Sequence, residues 1–151
     1  MWNRKNYRLG FDGWGLGLFL LIMLPNFVWF ALPAPNDILR NESATPLLDS
    51  FAQVFQIVMA AALCAVVNTA RDKPMKRGYR AGTAVCAAVY LAGWTAYYTG
   101  IANAVVILIL CLAPCGAFLS FALARKNGIA LVSGGGFTLC HLAFAIENFI
   151  K

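Results

Sequence analysis

Residues 71–80 read RDKPMKRGYR: five basic side chains and a helix-breaking proline between two stretches, 47–68 and 81–98, that hold no basic residue at all. Each flanking stretch is about 20 residues long, the length an α-helix needs to cross roughly 30 Å of hydrocarbon. A decapeptide this charged cannot lie in hydrocarbon, and Pro74 ends helices. The pattern predicts two transmembrane helices joined by a basic loop. Helices are expected because they satisfy their own backbone groups where water is absent.

Working outward, the same pattern repeats. Toward the N-terminus, 14–32 is apolar, follows Arg4, Lys5 and Arg8, and ends at Pro33 and Pro35. A cationic start before an apolar run also describes a signal peptide. This run is longer than a signal core, however, and Leu32 stands where a cleavage site needs a small residue, so 14–32 reads as a permanent span. Toward the C-terminus, Thr99-Gly100-Ile101 leads to a span at 102–124, and Arg125-Lys126 separates it from another at 129–150. The expected fold is all-α: one domain, 1–151, made of a five-span transmembrane bundle. Composition agrees, because 61% of the residues are hydrophobic and only 12% charged, against about 25% charged in soluble domains.

Charge sets the expected orientation. Alternating sides place the N-terminus, the 71–80 loop and Arg125-Lys126 together, with ten of the twelve Lys and Arg residues; Arg40 and Lys151 lie opposite. Cytoplasmic loops carry the basic excess, so the N-terminus is expected inside and the C-terminus outside. The net charge of +6 is then a matter of topology, with attraction to anionic lipid as a by-product. A nucleic-acid partner is not expected, since no basic–aromatic module lies outside the spans. Gly134-Gly135-Gly136 weakens the fifth span by helix propensity. In membranes, small residues more often mark close helix contact. A re-entrant 129–150 would put the C-terminus inside.

Lipid gives polar groups no partners, so polar and small residues that share a stripe mark inward faces. On the fifth span Gly134, Thr138, His141, Ala145 and Asn148 share one face. On the second, Asp49, Gln53, Gln56, Ala60 and Cys64 do so. The third carries a small stripe, Gly78, Gly82, Cys86 and Gly93, and an aromatic one, Tyr90, Trp94 and Tyr97. Pro25 and Pro114 free the carbonyls of Leu21 and Leu110 within their helices.

Polar side chains collect in the outer half. This predicts an outward-facing pocket lined by Asn26, Trp29, Gln53, Gln56, Tyr97, Asn103 and His141, or else the same residues bonding one another and leaving no cavity. The functional expectation is a non-enzymatic protein that binds a small amphipathic or lipid-like molecule. The alternatives are an accessory or assembly subunit of a larger membrane complex, and then a small oligomeric transporter or an intramembrane enzyme using His141. A homo-oligomer or a larger membrane partner is therefore open as well.

No catalytic residue, metal site or cofactor is expected. His141 and Glu147 are six residues apart, about 9 Å of rise and roughly 240° of rotation, so they cannot form a couple. Cys111 and Cys115 share a face, but adjacent Cys140 and His141 diverge too widely to complete a metal site easily. The five cysteines all lie in apolar stretches, so no disulfide framework is expected. The chain lacks H-E-x-x-H, G-x-S-x-G and a phosphate loop. Deep carboxylates and repeated halves, the marks of coupled transporters, are missing too.

The stretches YRLGFDGWG (7–15), LPNFVWF (24–30) and PAPND (33–37), more loosely continued by IANA (101–104), resemble a group of small uncharacterised multi-pass membrane proteins of Gram-positive bacteria. The resemblance implies a bacterial cytoplasmic membrane and no particular activity. Five spans in this length also resemble the tryptophan-rich sensory proteins, but their first-loop Trp–Pro pattern is absent here.

Overall fold

Each apolar stretch forms one long helix; three connections fall where charge or proline interrupts the pattern, and the fourth, between Tyr98 and Ala104, is a short uncharged turn at Gly100. The computed structural model describes residues 4–71 and 74–150; Lys73 and Lys151 of the charge partition lie outside them. Helix α1 is Gly13–Ala31, α2 Pro46–Ala65, α3 Arg77–Tyr98, α4 Ala104–Ala124 and α5 Gly128–Ala145, the last running on into a wider π-type turn over Ile146–Ile150. Side chains of Asp12, Asn103 and Asn127 cap α1, α4 and α5 by accepting from the N–H groups of Trp14, Val106 and Ala130. Pro46 opens α2, where its missing N–H has no intrahelical partner to lose.

Four helices, α1, α2, α4 and α5 with its continuation, are long and apolar enough to cross a membrane. Helix α3 is just as long, at 22 residues, but less apolar, with Arg77, Arg80, two threonines and four tyrosines. Asn127, after α4, donates to the carbonyls of Ala62 and Val66 at the end of α2. Asn36, in the α1–α2 loop, donates to Gly100 just before α4. Helices α2 and α4 therefore run the same way, and α3 must carry the chain back between them.

Small residues set how closely the helices pack. A Cβ on Gly82 would lie 3.5 Å from Ser120 Oγ, one on Gly116 2.9 Å from Cys86 Sγ, and one on Gly93 2.7 Å from Ile109. Helices α3 and α4 are thus antiparallel neighbours along most of their length. The triple glycine acts likewise for α5: Gly134 faces Met59 and Leu119, and Gly136 lies under the Phe55 ring. Helix α5 is continuous through the glycines, which let it sit between α2 and α4. Contacts run α2–α5–α4–α3, and α1 lies across the arc against α2, α3 and α4. Leu24, Phe27, Val54, Ile57, Val85, Val105, Val132 and Leu139 are left exposed around the outside. So broad an apolar exterior suits lipid and not water.

Two boundaries differ from the sequence pattern. The second stretch is apolar to 68, yet α2 stops at Ala65 and Val66–Asn68 pairs antiparallel with Tyr7–Leu9. The β-branched Val66-Val67 pair favours extended backbone. The pairing also brings partners to the carbonyls that end α2. Gly10 N–H donates to Ala65 O (3.1 Å) and Asp12 N–H to Cys64 O (2.8 Å), groups a helix terminus otherwise leaves unsatisfied. Asn127 Nδ2 adds a second donor to Ala62 O (2.8 Å), which also accepts from Val66 N–H. Helix α3 begins at Arg77, before the apolar run, because Arg77 and Arg80 can extend their charged ends away from the apolar face.

The inward stripe of α2 is also shifted. Its buried residues are Ala52, Met59, Ala62 and Leu63; Gln56 is half-buried beside them and Gln53 is exposed. Packing against the glycine groove of α5 selects Met59 and Phe55, and this rotates the two glutamines toward α1.

Candidate functional site

Where α1 leaves α2, a cavity opens. At the Asp12 end the two helices touch backbone to backbone: a Cβ on Gly15 would collide with Leu63 O. Toward the Asp37 end they diverge, and all five helices line a space of about 270 Å³. Helix α1 contributes Ile22, Met23, Asn26 and Phe30; α2 contributes Asp49, Gln53 and Gln56; α3, Tyr90 and Trp94; α5, Phe137 and His141. Pro114 and Leu110 of α4 complete the wall, where the proline leaves the Leu110 carbonyl without its helical N–H partner. Two lining residues, Phe30 (66% exposed) and Gln53, are exposed, so the mouth lies sideways between α1 and α2.

The polar groups around this space are only partly committed to one another. Asn26 Nδ2 donates to Ile22 O (3.1 Å) and to Tyr90 Oη (2.7 Å). Gln56 Nε2 has only a long contact, 4.0 Å, to Met23 Sδ. Gln53 Nε2 donates to Asp49 Oδ2 (3.0 Å). The His141 ring stacks on Phe137 with centroids 4.9 Å apart. Trp94 is 5% exposed, and its indole N–H, beside the Tyr90 hydroxyl, makes no well-formed hydrogen bond among the described residues. An unmet donor in an apolar wall costs about 1–3 kcal/mol.

Of the seven residues expected at an outward pocket, Asn26, Gln53, Gln56 and His141 come together here. Trp29, Tyr97 and Asn103 lie elsewhere. Trp29 Nε1 and Tyr97 Oη both donate to Asp37 Oδ1, at 2.8 and 2.9 Å, and Tyr97 is fully buried. Asn103 caps α4, accepting from Val106 N–H at 3.0 Å. An Asn directly before an apolar helical run is a capping signature, so that placement was readable. The cavity also takes in Tyr90 and Trp94, for which the aromatic stripe on the third span was the available signal.

The Asp37 cluster is a clasp at the rim. Asp37 Oδ2 accepts from Arg40 Nε (2.7 Å) and Ala34 N–H (3.2 Å). Arg40 also donates to Trp29 O and lies 4.7 Å over the Trp29 ring. Tyr98 Oη donates to Leu32 O (2.8 Å). Burial pushes the Asp37 carboxyl upward, but the donors from Trp29, Arg40, Tyr97 and Ala34 outweigh it and hold the group below its ordinary value. Among the described residues no three His, Cys, Asp or Glu side chains gather as metal ligands, and the five cysteines are free thiols.

The chain matches no protein-family model, and no curated protein or solved structure is significantly similar to it.

Proposed function

We propose that this chain threads a bacterial cytoplasmic membrane five times, with the Asp12 end in the cytoplasm, and holds a small amphipathic or lipid-like molecule in the cavity between α1 and α2. The basic residues around the Asp12 end support the orientation. The resemblance to small membrane proteins of Gram-positive bacteria supports the location.

One observation carries the binding reading: a wall that is mostly apolar, with Asn26, Gln56, Trp94 and His141 at separate points around it. Such a wall suits a ligand with an apolar body and a few hydrogen-bonding groups. At about 270 Å³ the cavity falls just under the roughly 300–1,000 Å³ of drug-sized sites. The ligand is therefore small, or inserts only one end. The sideways mouth suits arrival from the lipid phase.

Photo-crosslinking tests the reading with a diazirine-bearing short-chain fatty acid and the protein in nanodiscs. Labels are expected on Met23, Gln56 and Phe137, and Ala145→Phe, which fills the cavity, should suppress them. Labelling confined to Val132 and Leu139 on the exterior, and unchanged in Ala145→Phe, would overturn it.

A further inference from the structure

The opposite end of the bundle holds a second recess, of about 400 Å³, lined by Trp14, Arg71, Pro74, Met75, Arg80, Phe121 and Arg125. Among the described residues its charge is out of balance. Asp12 Oδ2 accepts from Arg71 Nη1 (2.6 Å), and Asp12 Oδ1 accepts from Arg125 Nη2 (3.2 Å). One carboxylate thus serves two guanidinium groups whose side chains are only 15% and 12% exposed. Both arginine Nε atoms are buried without a hydrogen bond among the described residues; that of Arg125 is 3.1 Å from Asp12 Oδ2 but poorly aligned with it. Arg80, exposed at the rim, adds a third cation. Burial disfavours the charged form of Arg125, Asp12 opposes this, and the nearby Arg71 charge adds to it.

Like charges held this close in a partly dry site call for a further anion. Helix α3 starts beside the recess with no capping side chain bond and no acidic residue in its first turn, which also favours negative charge. The remaining walls are apolar. The Arg125 guanidinium lies 5.0 Å over the Phe121 ring, and Trp14 is largely exposed, as an interfacial tryptophan would be.

We propose that this recess is a binding site for a phosphate group, held by Arg71, Arg80 and Arg125, with Trp14, Met75 and Phe121 against the carbon skeleton that bears it. Asp12 fixes two of the guanidinium groups in place, so the anion meets a preformed fork. The ligand chemistry is a phosphate ester, supplied by an anionic phospholipid headgroup or by a soluble phosphate. The inference uses the membrane reading but is independent of any ligand in the α1–α2 cavity.

The test uses the full chain in vesicles or nanodiscs and the variant Arg80→Ala, which leaves the Asp12 pairs intact. Native mass spectrometry should show phosphatidylglycerol retained in preference to phosphatidylcholine, with about tenfold weaker retention in Arg80→Ala. Arg80→Lys should recover part of it. Inorganic phosphate is titrated separately against thermal unfolding. Stabilisation by phosphate that Arg80→Ala abolishes, without preference between the two lipids, identifies a soluble phosphate. Lipid preference without a phosphate response identifies the headgroup. Equal retention of both lipids together with no Arg80-dependent phosphate effect would overturn the site, as would equal responses of wild type and Arg80→Ala in both arms.

Discussion

The two ends of this bundle treat polar groups in opposite ways. At the Asp12 end most neutral polar groups are consumed by the fold, and the donors left over are cationic, the Nε atoms of Arg71 and Arg125. Asn127 caps α5 and donates to both Ala62 O and Val66 O, and Tyr7 Oη donates to Lys126 O while accepting from Gly128 N–H. Asn68 Nδ2 donates to Lys126 O as well. In the other half, Gln56, His141 and the Trp94 N–H stand around a cavity with few or no protein partners. Polar residues that a fold does not use have to be accounted for by something the fold holds. Apart from its arginine recess the Asp12 end is the closed, structural half, and the other end is the half whose neutral polar groups surround an open cavity.

The strongest way to break that contrast is Asp12→Ala. It strands two mostly buried guanidinium groups and removes the cap of α1. A loss of about 3–5 kcal/mol is expected, read by thermal unfolding in detergent. A loss no larger than that of a surface substitution would show that the closed end is not the anchor. Next is Asn127→Ala, which loses the cap of α5 and the hydrogen bonds to Ala62 O and Val66 O, for about 2–3 kcal/mol.

These two residues also show what the sequence could and could not disclose. All five helices were legible, because apolar runs of membrane length and basic breaks are local signals. The Tyr7–Leu9 and Val66–Asn68 ribbon was not, since its partners lie about sixty residues apart and neither half carries a strand-length pattern. For the same reason Arg71 and Arg125 read as topology markers, although they converge on Asp12. At the cavity, the depth of polar residues along the spans was enough to gather Asn26, Gln53, Gln56 and His141. It failed for Trp29 and Tyr97, whose position depends on where the 32–41 loop sets Asp37. A loop conformation has no periodicity to read.

Smaller effects sharpen the comparison. The Asp37 clasp should respond to acid. Its carboxyl is held below its ordinary value of 3.8, so its contribution is present above that pH and is lost as pH falls through the lowered value. The expected loss is roughly 1–2 kcal/mol, seen as a drop in unfolding temperature below about pH 4 that Asp37→Asn lacks. An identical acid response in Asp37→Asn would assign the effect to other carboxylates. Smallest of all, His141→Phe should leave stability within about 0.5 kcal/mol of wild type while weakening probe labelling in the cavity. A large destabilisation would place His141 in the structural half instead.

The membrane reading depends on which end of the bundle faces which side, and cysteine accessibility measures this directly. In a background with the five native cysteines replaced, Glu42→Cys and Ala70→Cys are treated with a membrane-impermeant maleimide on intact cells. Glu42→Cys is expected to label at once and Ala70→Cys only after the membrane is opened. Labelling of both, or of Ala70→Cys alone, in intact cells would contradict it.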